Sequence, residues 1–220
     1  MRRAVSALLC VIGGAIGSFA MQVSLDQRAI QEALDIGNTS IERTRPRFHA
    51  DYRFVVGRAP VDFIEIVTPF RRLVISAETR ARTGTRMFGQ REALEALKPD
   101  PERVDVYVEL TFHPLNTFVG VPGYGVMLKP TRPGAPPIRP SAIDRIPRFG
   151  PRVDGQPVYR PLPYLIPPRV PSGGEPLSGG TLIAAFDGRL LEPNGTYDAV
   201  VLDERDKELA SVRIDLSRLR

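Results

Sequence analysis

The clearest pattern in the chain is an alternation of apolar and polar residues over residues 104–113, VDVYVELTFH. Valine, leucine and phenylalanine occupy every second position, and polar or charged side chains lie between them. Successive side chains of a strand point to opposite faces of a sheet, so this period of two predicts a half-buried strand. Related patterns predict further strands over residues 48–54, 61–67, 70–81, 124–128, 181–186, 197–202 and 208–216.

Two short segments have a helical pattern instead. In the first, Ser24 is the predicted N-cap, and Gln27 stands three residues later, as in a capping box. An apolar stripe follows, and Gly37 with Asn38 is a typical helix end. Residues 90–98, QREALEALK, form the second predicted helix, which ends before a proline.

Proline concentrates between the two β-rich parts, because residues 122–176 contain 15 of the 22 prolines. Proline has no amide hydrogen and a fixed φ, so this segment is not expected to form a central strand or a helix. Large apolar residues nevertheless recur along it, which is not typical of a solvated linker. We therefore expect residues 129–176 to form an extended, proline-rich strap that packs on the folded domain.

The alternative is that the strap binds a partner. The tetrapeptide Arg160-Pro161-Leu162-Pro163 looks like a ligand for aromatic-lined grooves. On this alternative, the binding residues are Arg160, Leu162, Tyr164 and Arg169.

The first twenty residues have the form of a secretory signal. Arg2 and Arg3 precede an apolar run that is shorter than the roughly 20 residues of a spanning helix, and small residues stand at Ser18 and Ala20. We expect cleavage after residue 20, export to the periplasm or the extracellular space, and no stable membrane span afterwards. Cleavage also removes the single cysteine, so the mature chain has no thiol or disulfide chemistry.

The positive charge is local. The formal net charge is +5, and residues 129–176 alone hold eight basic and three acidic residues. Arg71, Arg72, Arg80, Arg82 and Arg86 form a second basic group. Alternation along the predicted strand places Arg80 and Arg82 on the same face as Glu78, so this group is interpreted as a solvated ionic face of a strand. Neither feature predicts binding of nucleic acid.

Only one set of residues suggests catalytic chemistry. His49 and Asp51 share a face of the predicted strand 48–54, and His113 lies on the outer face of strand 104–113. If these strands pair, the three side chains form a site with two histidines and one carboxylate, which is typical of metal centres. Asp62, Glu65 and Glu78 also offer carboxylate pairs, but a chain with 25 acidic residues contains many such pairs, and these residues are interpreted as parts of solvated strand faces.

Near the C-terminal end, a turn at Asn194-Gly195 precedes Tyr197 at the start of a strand. This arrangement resembles the tyrosine corner of immunoglobulin-like domains, in which the hydroxyl bonds back to the preceding loop. The resemblance covers about 40 residues. It implies an immunoglobulin-like β-sandwich, and we expect residues 21–220 to form one mainly β domain of this kind with two short helices and the proline-rich insertion.

These patterns together favour an exported, non-catalytic binding or assembly module of the cell envelope. The expected partner is another envelope protein, and no cofactor is predicted. The alternative is a metal-dependent enzyme that uses His49, Asp51 and His113. Metal content of the purified protein distinguishes the two.

Overall fold

The structure is a computed structural model that describes residues 20–41, 43–84, 88–150 and 176–220. In these residues the fold is mainly β, with eight strands in two antiparallel sheets and four α-helices. The strands are β1 (Arg53–Arg58), β2 (Val61–Val67), β3 (Arg103–Thr111), β4 (Gly125–Pro130), β5 (Ala142–Phe149), β6 (Leu177–Asp187), β7 (Thr196–Leu202) and β8 (Glu208–Asp215). The helices are α1 (Gln27–Asn38), α2 (Thr44–Ala50), α3 (Pro69–Arg82) and α4 (Gln90–Leu97).

The main core lies between the two sheets. The large sheet has the strand order β1-β2-β3-β6-β5, and the small sheet has the order β4-β7-β8. The alternating valines of β3, such as Val106 and Val108, pack with Ile64 of β2 and with Val201 and Ile214 of the small sheet. The predicted inward face of residues 104–113 is therefore confirmed.

The helices form a second layer with its own core. Phe70, Val74 and Ala77 of α3 pack against α1, and they lie three or four residues apart, as one face of a helix requires. A Cβ atom at Gly37 of α1 would lie 2.5 Å from Ala77 Cβ, so a glycine allows the two helices to approach closely. On another face of α3, Ile75 packs on the outer face of the large sheet.

Two predicted strands are wrong in whole or in part. Residues 70–81 lie in α3, which begins after the N-cap Thr68 with Pro69 in its first turn. Residues 48–50 end α2, and β1 begins only at Arg53. The predicted cap of the first helix is also two residues too early, because Asp26, not Ser24, accepts the amide hydrogen of Ala29 at 2.7 Å.

The described part of the proline-rich segment contains no central strand, as its prolines predicted. β4 and β5 lie in this segment, and each occupies the edge of its sheet, so no central strand is formed there. Pro147 lies within β5. Proline has no amide hydrogen to donate to a neighbouring strand, and an edge strand tolerates this because it has a neighbour on one side only. Ile138, Ile143 and Phe149 pack against the main core, as expected of a packed strap. Residues 151–175 lie outside the described part of the chain.

Candidate functional site

The three residues of the predicted metal site are not brought together by strand pairing. β2 lies between β1 and β3, so the strands that were expected to carry them are not neighbours. His49 is buried at the end of α2, whereas Asp51 and His113 are exposed. Within the ranges that the structure describes, no three His, Cys, Asp or Glu side chains form a group that could hold a metal ion.

His49 belongs instead to a buried ionic cluster between α2, α3 and β2. Arg71 donates from Nε to His49 Nδ1 at 3.2 Å and from Nη2 to Glu65 Oε2 at 2.9 Å. Because Nδ1 accepts a hydrogen bond, the proton of the neutral ring is on Nε2, which lies 3.3 Å from Glu78 Oε2. The cluster also contains Arg53, which forms an ion pair with Glu65.

Burial and positive neighbours control the charge of this cluster. Burial, followed by the charge of Arg71, lowers the pKa of His49 to about 3, so the ring is neutral at physiological pH. Burial raises the pKa of the Glu78 carboxyl, although Arg82 and Arg45 oppose this effect. Of the three carboxylates that were candidates for acid–base chemistry, Glu65 and Glu78 therefore act here as buried partners of arginines, and Asp62 accepts the hydroxyl hydrogen of Thr111 at 2.6 Å.

A second buried ion pair lies on the outer face of the large sheet. Arg148 of β5 donates from Nη1 to Glu109 Oε1 of β3 at 2.7 Å, and Thr181 of β6 donates to Glu109 Oε2 at 2.8 Å. Arg148 reaches β3 across Gly179, where a Cβ atom would lie 2.1 Å from the guanidinium. This glycine therefore opens the path for the ion pair.

The most exposed apolar group lies in the connection between β3 and β4, residues 112–124, which we call the β3–β4 loop. Leu115 is 84% exposed, Val119 98% and Phe118 42%. The other large apolar side chains exposed in the described ranges, Ile41, Val55, Leu94 and Leu190, are scattered along the chain. A cluster of exposed apolar residues is typical of an interaction surface, whereas isolated ones are ordinary.

The β3–β4 loop is held in place by hydrogen bonds to distant parts of the chain. Asn116 donates from Nδ2 to the carbonyl oxygens of His113 at 2.7 Å and Leu177 at 2.9 Å, and its Oδ1 accepts from the amide of Phe118 at 3.0 Å. The ring of Phe118 packs edge-on against buried Phe112, with 5.1 Å between centroids. The exposed side chains therefore project from an ordered scaffold.

The second half of the loop is fixed by two charged residues. Glu204, in the turn between β7 and β8, accepts the amide hydrogen of Gly123 at 2.8 Å. Arg145 of β5 donates to the carbonyl oxygens of Pro122 at 3.3 Å and Tyr124 at 2.8 Å. Val121 packs over Gly180 of β6, and a Cβ atom at position 180 would lie 2.5 Å from a methyl group of Val121. Both halves of the loop are thus anchored to the sheets.

A cleft of about 590 Å³ lies between the β3–β4 loop and the β7–β8 turn. Its loop wall runs over residues 117–124, and its opposite wall is formed by Asp203, Glu204 and Arg205. Burial, followed by the negative charges of Glu204 and Asp203, raises the pKa of the Tyr124 hydroxyl. The cleft thus combines an apolar wall with a negative field at Tyr124.

A smaller cleft of about 360 Å³ lies between α3, α4 and the start of β3. Arg72 donates from there to the carbonyl oxygens of Asp100 and Arg103, and Arg103 donates to buried Asp105 at 2.6 Å. Burial raises the pKa of Asp105. The charged groups of this cleft bond mainly to other groups of the protein, so a structural role explains them and the cleft is not a candidate binding site.

The sequence-predicted corner at Tyr197 forms the expected contact. Its buried hydroxyl accepts the amide hydrogen of Glu192 at 2.8 Å, five residues upstream. The predicted binding residues Arg160, Leu162, Tyr164 and Arg169 lie outside the described residues. The β3–β4 loop, in contrast, is a candidate that the sequence patterns did not single out, although its run of Leu115, Phe118 and Val119 is visible there.

None of the helices in the described ranges is long and apolar enough to span a membrane. Comparisons of the chain with protein-family models, with curated proteins and with solved structures found no match.

Proposed function

We propose that this protein is an exported, non-catalytic binding or assembly module of the cell envelope, and that it contacts another envelope protein through the β3–β4 loop. The observation that carries the proposal is the exposure of Leu115 and Val119 on a loop that is already ordered. An ordered loop loses little conformational entropy on binding, so most of the free energy gained by burying its side chains contributes to the affinity.

The ionisable groups support binding over catalysis. His49 and Glu78, whose pKa values are clearly shifted, lie in a buried cluster with arginines. Shifted pKa values occur at active sites, but they also occur in structural ion-pair networks, and the buried position of His49 favours the second explanation.

Export and the immunoglobulin-like form are parts of the same proposal. The N-terminal segment has the pattern of a secretory signal, and Met21, the first residue after the proposed cleavage point, is buried in the main core. The hydrogen bond of Tyr197 to the preceding loop supports an immunoglobulin-like sandwich.

Photo-crosslinking in the native host tests the proposed contact. A photoreactive amino acid replaces Val119 in one strain and Leu94, an exposed apolar residue of α4, in a control strain. We expect a discrete crosslinked protein from position 119 and none from position 94. Burial of a leucine side chain contributes roughly 1.5–3 kcal/mol, so Leu115→Ser should weaken the contact about tenfold or more.

A second control separates binding from folding. Leu190→Ser changes another exposed leucine and should leave the crosslink at position 119 unchanged. Equal crosslinking at positions 119 and 94, or an adduct that is insensitive to Leu115→Ser, would contradict the proposal.

A further inference from the structure

We propose that the cleft beside the β3–β4 loop binds a protein segment in which an apolar side chain stands next to a lysine or an arginine. This inference rests on the proposed function, because it names the chemistry of the partner at the same loop. It follows from the two walls of the cleft, which differ in character.

The apolar wall selects an apolar group. Val119 projects from the loop on this wall, and the ring of Phe118 packs on Phe112, so the wall is rigid as well as apolar. Rigid apolar side chains of this kind commonly dominate the binding energy of an interface. A partner must therefore supply an apolar side chain to this wall.

The opposite wall selects a positive charge. Asp203 and Glu204 lie there, and their charges, after burial, raise the pKa of the Tyr124 hydroxyl. Glu204 is also held in place, because one of its oxygens accepts the amide hydrogen of Gly123. A fixed carboxylate loses little freedom when a cation approaches it.

Cations lie near these carboxylates as well, because Lys207 and Arg205 both act on Asp203. Arg145 directs its guanidinium to the carbonyl oxygens of Pro122 and Tyr124, and Arg205 lines the cleft. Lys207 does not line the cleft, and the turn over residues 203–207 holds three acidic and two basic residues, which gives the turn a net charge of −1. The field of this wall is therefore negative. Such a field repels the surface of an anionic membrane and attracts a basic peptide.

The test uses three synthetic ten-residue peptides and the mature protein labelled with ¹⁵N. The first peptide contains leucine and phenylalanine next to lysine and arginine. The second replaces each basic residue by glutamate, and the third replaces each apolar residue by serine. Chemical shifts of the backbone amides report where each peptide binds and how tightly.

We expect the first peptide to shift the amides of residues 117–124 and 203–205, with at least tenfold higher affinity than either of the others. Glu204→Gln keeps an oxygen for the Gly123 amide and removes the charge, so it should weaken the first peptide at least threefold. Glu192→Gln removes an exposed charge at the opposite end of β7 and should have no effect.

Four other results would overturn the inference, and each would indicate a different reason. Equal affinity for the basic and acidic peptides leaves the apolar contact of the proposed function intact but rejects the charge preference. Shifts that depend on protein concentration alone indicate a second copy of the chain as the occupant. Shifts with vesicles that contain phosphatidylglycerol, but not with the first peptide, indicate a membrane. No shift with any peptide rejects the cleft, while crosslinking at position 119 still decides the proposed function.

Discussion

Replacement of Arg148 by methionine should destabilise the protein strongly, because it removes one partner of a buried ion pair. Arg148 and Glu109 are 8% and 6% exposed, and their charged atoms are 2.7 Å apart. Arg148 also donates to the carbonyl oxygen of Leu110 at 2.9 Å and to the hydroxyl of Thr111 at 3.0 Å. Methionine fills a similar volume but satisfies none of these acceptors.

Removal of one partner from a buried ion pair typically lowers the free energy of unfolding by about 3–5 kcal/mol. For a domain of this size, each kcal/mol shifts the melting temperature by roughly 2–4 °C, so Arg148→Met should lower it by about 6–20 °C. The double variant Arg148→Met, Glu109→Gln removes both charges together. It should therefore lose less free energy than the sum of the two single variants, with a coupling of about 1–3 kcal/mol.

Urea denaturation followed by circular dichroism measures the four free energies of this cycle. Arg213→Met is the control, because Arg213 and Asp198 form an exposed pair at 3.0 Å on the small sheet. Exposed pairs contribute about 1 kcal/mol or less, so the control should stay close to the parent protein. A loss below about 1 kcal/mol for Arg148→Met, or additive losses in the cycle, would refute the argument.

Three further predictions concern other parts of the fold. The pKa of His49 is lowered to about 3 in the folded state, against an ordinary value near 6.5. Its contribution to the free energy of unfolding is thus complete above about pH 6.5 and is lost as the pH falls towards 3, and His49→Gln should make urea midpoints less sensitive to pH in that window. Tyr197→Phe removes a buried hydrogen bond and should lower the free energy of unfolding by about 1–2 kcal/mol, whereas an unchanged midpoint would contradict the corner. Trypsin under native conditions should spare Arg145 and Arg148, because β5 is hydrogen-bonded along its length to β6; rapid cleavage there, detected by mass spectrometry, would contradict the packed β5.

Apolar patterns predicted β2 and β3 well, because one face of each strand packs on the main core. Residues 104–113 predicted β3 with the correct inward face, and residues 61–67 match β2. The pattern did not predict that the outer face of β3 is covered too. Asp105, Tyr107 and Glu109 are all buried there, because α3 and partner side chains on the neighbouring strands lie on or beside that face.

The same reasoning failed at residues 70–81 because two charged residues of α3 are buried. Arg71 and Glu78 face the ionic cluster, so their positions do not mark the solvent side, as an alternating pattern assumes. The helical signal was nevertheless present in the sequence. Thr68 followed by Pro69 is a typical helix start, and the apolar residues Phe70, Leu73, Val74 and Ala77 then recur at helical spacing.

The candidate site was harder to predict, because the contacts that create it are long-range. Leucine, phenylalanine and valine normally indicate burial, and nothing local marks Leu115 or Val119 as exposed. The loop that carries them is anchored by Asn116, which bonds to Leu177 at a separation of 61 residues, and by Glu204, which bonds to Gly123 at a separation of 81. The exposed apolar group on this loop therefore depends on the assembled sheets and becomes visible only when distant segments are placed side by side.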